Sequence, residues 1–144
     1  MILVDTNILV YAHLSTSPRH VLASRWLDEK LNANARVGMP WASLLGFLRI
    51  VTNRHVVRPP EPVSGAWAQV EAWLDCPVVW IPSPTERHRE LLSSFFDAGV
   101  EGGNTVPDAH LAALAIEHGL TLCSSDRGFA RFPGLRWENP LATK

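Results

Sequence analysis

Apolar residues run along this chain in short blocks separated by polar, proline and glycine punctuation. "MILVD" (1–5) is a branched apolar run ending in a carboxylate, the pattern of a buried strand. "TNILVYAHLSTSPRH" follows, and its "SPRH" punctuates the chain and is suited to starting a helix. "RHVLASRWLDEKLNA" (19–33) carries Val21, Leu22, Trp26, Leu27 and Leu31 at helical spacing and predicts an amphipathic helix. "ARVGMP" (35–40) predicts a short strand, and "ASLLGFLRIVTN" (42–53) a mostly buried helix interrupted by Gly46. After the loop "NRHVVRPPEP", "VSGAWAQVEAWLD" (63–75) predicts a helix, "PVVWIP" (77–82) a strand and "TERHRELLSSFFDAGV" (85–100) a helix. The loop "EGGNTVP" leads to a helix over "DAHLAALAIEHG" (108–119), stopped by Gly119. "LTLCSSD" (120–126) predicts a strand, and "LRWENP" (135–140) a further one.

Strands alternating with helices imply right-handed βαβ units, hence an α/β protein with a mostly parallel sheet flanked by helices on both faces. The 144 residues fit a single domain, 1–144, and no repeat or linker marks a second. With 47% hydrophobic and 19% charged residues the chain is too apolar to be disordered. A formal net charge of -1 argues against a protein that coats nucleic acid, though not against one that grips it locally. The N-terminal apolar run is interrupted by Asp5 and far too short for a bilayer span, so a soluble, cytoplasmic protein without a membrane partner is expected. Cys76 and Cys123 have no metal-ligand spacing and read as two buried thiols. The six tryptophans are scattered, which favours packing or a subunit interface over a base-stacking stripe.

Candidate chemistry lies in the acids. In open parallel sheets, sites form at the carboxyl ends of the strands. Asp5 ends the first strand, Asp126 ends "LTLCSSD", and Asp108 begins the helix leading into that strand. Asp108 alone also suits a helix first turn, and Asp126 a turn. Asp5 is harder to explain without a role, because an acid inside an apolar run is costly to bury. Three carboxylates at one edge repel, and a divalent cation relieves the repulsion. Oxygen ligands favour Mg²⁺ or Mn²⁺ over zinc. The histidines show no paired metal spacing. His20, His55, His88 and His118 read as surface residues, and His13 and His110 as weak candidates for substrate contact. No Walker A loop, GxGxxG or GxSxG is present, and Asn7 stands where a DxD phosphatase needs its second acid.

"VDTNILVYA", "PWASLLGFLRIVTN", "VPDAHLAALAIEHGLTLCSSDRGF" and "FPGLRWENP", in this order and at this length, resemble the PIN-domain ribonucleases, and in particular VapC-type toxins of VapBC toxin–antitoxin systems. The resemblance implies a PIN-like three-layer α/β/α fold and a Mg²⁺- or Mn²⁺-dependent endoribonuclease. Its metal-binding catalytic acids would be Asp5, Asp108 and Asp126, with Thr6, Asn7 and Ser124 in support. It implies in-line hydrolysis of an RNA phosphodiester, leaving a 5′-phosphate and a 3′-hydroxyl, on a transfer RNA or a ribosomal RNA loop. Arg49, Arg54 and Arg127 are candidates to guide the RNA backbone. Implied partners are a small VapB-type antitoxin, which inserts a basic side chain among the acids, and a second copy of the chain. Trp26, Trp41 and Trp67 are candidates for those contacts. Two positions depart from the family pattern. Gly46 stands where a glutamate is usual, three residues before Arg49, and Gly128 where an acid is usual before Phe129. Glu101 is a candidate replacement ligand. The departures leave open one metal or two, and keep an alternative in play: a PIN fold that binds RNA or a partner without cutting.

Overall fold

The computed structural model describes residues 1–102 and 104–142. Strands β1 (Ile2–Val4), β2 (Val37–Gly38), β3 (Val79–Trp80), β4 (Thr121–Cys123) and β5 (Trp137–Glu138) form one sheet in the order β3-β2-β1-β4-β5. Every neighbouring pair is parallel. The helices are α1 (Thr6–His13), α2 (His20–Leu31), α3 (Trp41–Val51), α4 (Val63–Asp75), α5 (His88–Asp97) and α6 (Thr105–Glu117), with a 3₁₀ turn at Arg127–Arg131.

Side chains alternate across a strand, and β1 shows the consequence. Val4 packs into a core shared with α1, α2, α3 and α4, whereas Leu3 packs into a second core with α5 and α6. The central strand is therefore buried on both faces, which accounts for its unbroken apolar run. The three-layer α/β/α architecture expected from the alternation of elements is present, and the sheet is wholly parallel.

Several elements differ from the sequence expectation. Helix α1 was not anticipated, because eight residues with few polar positions carry no clear helical period. Its start is set by Asp5 as N-cap, so the carboxylate that ends β1 also begins a helix. Helix α6 starts three residues earlier than expected, at Thr105, since Pro107 is harmless in a first turn whose N–H groups have no intrahelical acceptor. Strand β4 stops at Cys123, so Asp126 lies three residues beyond it as the N-cap of the 3₁₀ turn rather than at the strand end. Helix α2 buries Ala23 and Leu27 and leaves Val21 and Leu22 exposed. Cys123 is buried, and desolvation pushes its thiol up to about 12, but Cys76 is only half-buried. No helix among the described residues is long and apolar enough to cross a membrane.

The β1–β4 pair carries both cores, so truncating it should be costly. Leu122→Ala is expected to destabilise the protein by about 2–5 kcal/mol, measured by urea denaturation at constant m-value.

Candidate functional site

The register of β1 against β4 (Val4 opposite Cys123) brings residues 5 and 124 side by side at the carboxyl end of the sheet. The Asp5 N–H extends the ladder by donating to the Cys123 carbonyl at 3.0 Å. The Ser124 hydroxyl donates to Asp5 Oδ2 at 2.7 Å, and the Thr6 N–H donates to Asp5 Oδ1 at 2.7 Å. Asn7 Nδ2 and the Asp126 N–H both donate to the Ser124 hydroxyl, at 3.1 and 3.0 Å. Ser124 thus uses its one proton and both lone pairs to join Asp5, Asn7 and Asp126. The three small polar residues singled out from sequence divide their work. Asn7 and Ser124 brace the acid edge, and Thr6 donates its hydroxyl to the Ser43 carbonyl of α3 at 3.1 Å.

Asp108 reaches the same edge from the first turn of α6. Asp5 and Asp108 are both buried, at 9% exposure, while Asp126 is exposed and accepts from the Gly128 N–H at 2.8 Å. Burial raises the Asp5 carboxyl above its ordinary value, opposed by the Ser124 and Thr6 hydrogen bonds. The neighbouring charges of Asp108 and Asp126 push it further up. Burial also raises Asp108, opposed by the hydrogen bond from Arg131, with the Asp126 charge again adding to the rise.

A cleft of about 550 Å³ opens beside these acids. Asp5, Thr6, Gly46, Arg49, Asp108 and His110 contribute to its polar and backbone wall, and Leu92, Phe96 and Val106 to its apolar rim. Of the three arginines proposed for RNA, Arg49 lines the cleft. Arg54 and Arg127 are exposed and do not, and Glu101 is likewise exposed and outside the lining. Gly46 has a local reason: a Cβ there would lie 2.6 Å from the Thr6 hydroxyl, so a side chain would displace Thr6 from its present position.

Two features were missed from sequence. Arg131 donates from Nη2 to Asp108 Oδ2 at 3.1 Å and from Nη1 to the Gly128 carbonyl at 2.7 Å, a cation among the acids. Its signal was an arginine set between Phe129 and Phe132. The second is a chain of three side chains behind the cleft. Glu117 Oε2 lies 2.6 Å from His88 Nδ1, and His88 Nε2 lies 3.1 Å from His110 Nδ1. Burial alone would raise Glu117, but bonds from Thr85 and His88 hold it below the usual range. Burial and the neighbouring His88 lower His110. His88 is therefore not a free surface residue. His13 lies away from the cleft, held by Glu61 at 2.7 Å and by Gln69, with its ring edge-on to Phe47.

The acids offer an all-oxygen donor set suited to a hard divalent ion. They do not form a closed cage: among the described residues no group of three or more His, Cys, Asp or Glu side chains is gathered tightly enough to hold a metal. Asp108 spends one oxygen on Arg131, and Asp126 one on its own turn. The donor chemistry fits.

Residues 2–135 match the model of the PIN domain. The chain belongs to the PIN-domain family. It is 42% identical over 142 residues to a Mycobacterium tuberculosis protein named ribonuclease VapC37, covering 99% of each chain. It is 43% identical over 145 residues to ribonuclease VapC43 of the same species, covering 98% of this chain and 96% of that one. In fold it is similar to VapBC2 from Rickettsia felis bound to a promoter DNA fragment (TM-score 0.69, 22% identity, 96% of this chain and 98% of that one). It is also similar to M. tuberculosis VapC20, described as a sarcin–ricin-loop-cleaving toxin (TM-score 0.68, 20% identity, 94% of this chain and 99% of that one).

Carboxylates whose folded pKa is raised bind protons more readily folded than unfolded. Their contribution therefore lowers stability as pH rises from the ordinary carboxylate range through the raised values. In EDTA, Asp5→Asn is expected to raise the melting temperature at pH 7, and the gain should vanish as pH falls below the ordinary aspartate range. Thermal melts of both proteins across that range check it.

Proposed function

We propose that this protein is a Mg²⁺- or Mn²⁺-dependent endoribonuclease, the toxin of a type II toxin–antitoxin system. Its substrate is a structured RNA, a transfer RNA or a ribosomal RNA loop, and a VapB-type antitoxin neutralises it in the cytoplasm. The observation that carries this reading is the gathering of Asp5, Asp108 and Asp126 at one edge of the sheet, beside a cleft, from three distant parts of the chain. The names of its relatives, ribonucleases at 42% and 43% identity over nearly the whole chain, support the substrate class.

In this reading the three aspartates hold the metal. A divalent ion held there would supply the positive charge for phosphodiester hydrolysis. The chain's own residues do the rest. Ser124 and Asn7 keep Asp5 in one orientation, as partners behind ligands generally do. Arg49, on the cleft wall, receives a phosphate of the RNA backbone. The cleft's apolar rim, with Phe96 46% and Val106 68% exposed, suits a splayed base or an antitoxin side chain. The stacked and exposed pair Trp41 and Trp67, with ring centroids 6.4 Å apart, suits the dimer contact.

A second reading, a PIN fold that binds RNA without cutting, is favoured by one observation: Asp108 is already paired with Arg131. Incubating the purified protein with total cellular RNA in Mn²⁺, Mg²⁺ or EDTA separates the two. Discrete metal-dependent cuts with 5′-phosphate ends are expected, absent in Asp5→Asn and Asp108→Asn. Ser124→Ala should cut about 10- to 100-fold more slowly. Intact RNA in both metals with the wild-type protein would favour the binding module.

A further inference from the structure

Arg131 is built into its place from several directions. Its guanidinium bonds Asp108 Oδ2 and the Gly128 carbonyl, and its Cζ lies 4.8 Å from the centroid of the Phe132 ring. Its Nε is buried without a hydrogen-bond partner. Gly128 makes the space: a Cβ at that position would overlap the Arg131 Nη1 and lie 3.0 Å from Asp126 Oδ1. The backbone at Gly128 is not left-handed, so the absent side chain answers the guanidinium and not the turn. Arginine stays charged at every accessible pH. Arg131 is thus a permanent cation held at the flank of Asp108.

We infer that Arg131 is a resident cation of the acid site, which competes with a bound divalent ion for Asp108. Three carboxylates against one guanidinium leave two negative charges, which a single divalent ion matches. The inference rests on the metal-dependent reading above and deepens it. Asp5, Asp108 and Asp126 would hold one ion, with Arg131 competing for Asp108 and holding the affinity down. Arg131 is a positioning residue: it acts on the metal through Asp108.

The test is isothermal titration of the metal-free protein with MnCl₂, run on the wild type, Arg131→Gln, Arg131→Lys and Gly128→Ala. Wild type and Arg131→Lys, which keeps the charge, should bind one Mn²⁺ with similar affinity. Arg131→Gln should bind Mn²⁺ about tenfold or more tightly, the effect of removing a like charge a few ångströms away. Gly128→Ala leaves the arginine in the chain but drives its guanidinium off Asp108, and should also tighten binding. It keeps the test open if Arg131→Gln fails to fold. Equal or weaker Mn²⁺ binding in both Arg131→Gln and Gly128→Ala would overturn the inference, as would two ions bound by the wild type. RNA cleavage measured on the same samples keeps the two claims apart. Metal-dependent cleavage by the wild type with unchanged Mn²⁺ affinity in the variants sinks only the role of Arg131. One Mn²⁺ bound by the wild type and bound more tightly by both variants, with no RNA cleavage, upholds it and sinks the nuclease reading.

Discussion

The hydrogen bond from Ser124 to Asp5 closes the ends of β1 and β4, and the rest of the site depends on it. Parallel pairing sets the register, Val4 opposite Cys123, and the register places a serine against a carboxylate that has almost no water. A one-residue slip would turn Leu3 and Val4 to the wrong cores and move Asp5 away from Ser124 together. Packing and chemistry are therefore specified by the same strand pair. The fold cannot keep its two apolar cores without also bringing Asp5, Asn7, Ser124 and Asp126 into one hydrogen-bonded group.

That arrangement concentrates negative charge in a poorly solvated edge, and the structure answers it in three ways. Backbone N–H groups of Thr6 and Gly128 and the Ser124 hydroxyl solvate the carboxylates. Burial holds Asp5 and Asp108 above the usual carboxylate range, and the neighbouring acid charges add to the rise. Arg131 offsets part of that charge and no more. The two glycines belong to the same account. Gly46 lets the Thr6 hydroxyl sit against α3, and Gly128 lets the Arg131 guanidinium sit against its own turn. At both positions a neighbour of the acid edge fills the space that a side chain would need.

Much of this was legible in the residues. The buried strand ending in Asp5, the alternation of strands and helices and the three aspartates all follow from local patterns. Helix α1 was not legible, because its eight residues are too apolar for a period and its start hides in the Asp5 cap. Asp126 was placed on a strand that stops at Cys123, since "SSD" carries no signal separating strand from turn. Arg127 is legible as a candidate because it adjoins Asp126 in sequence. Arg131 reaches Asp108 across 23 positions, a contact that only the packing of the 3₁₀ turn on α6 creates. For the same reason His88 read as a surface residue, although Glu117 and His110 engage both its nitrogens.

The central claim is that the acid edge is a divalent-metal site holding one ion beside Arg131. Anomalous diffraction from a crystal of the wild-type protein soaked in Mn²⁺ tests it most directly. The account predicts one strong peak bounded by Asp5, Asp108 and Asp126, with the Arg131 guanidinium still near Asp108 and no second peak on its side. A second manganese in the place of the guanidinium, or no manganese at this edge at all, would contradict it.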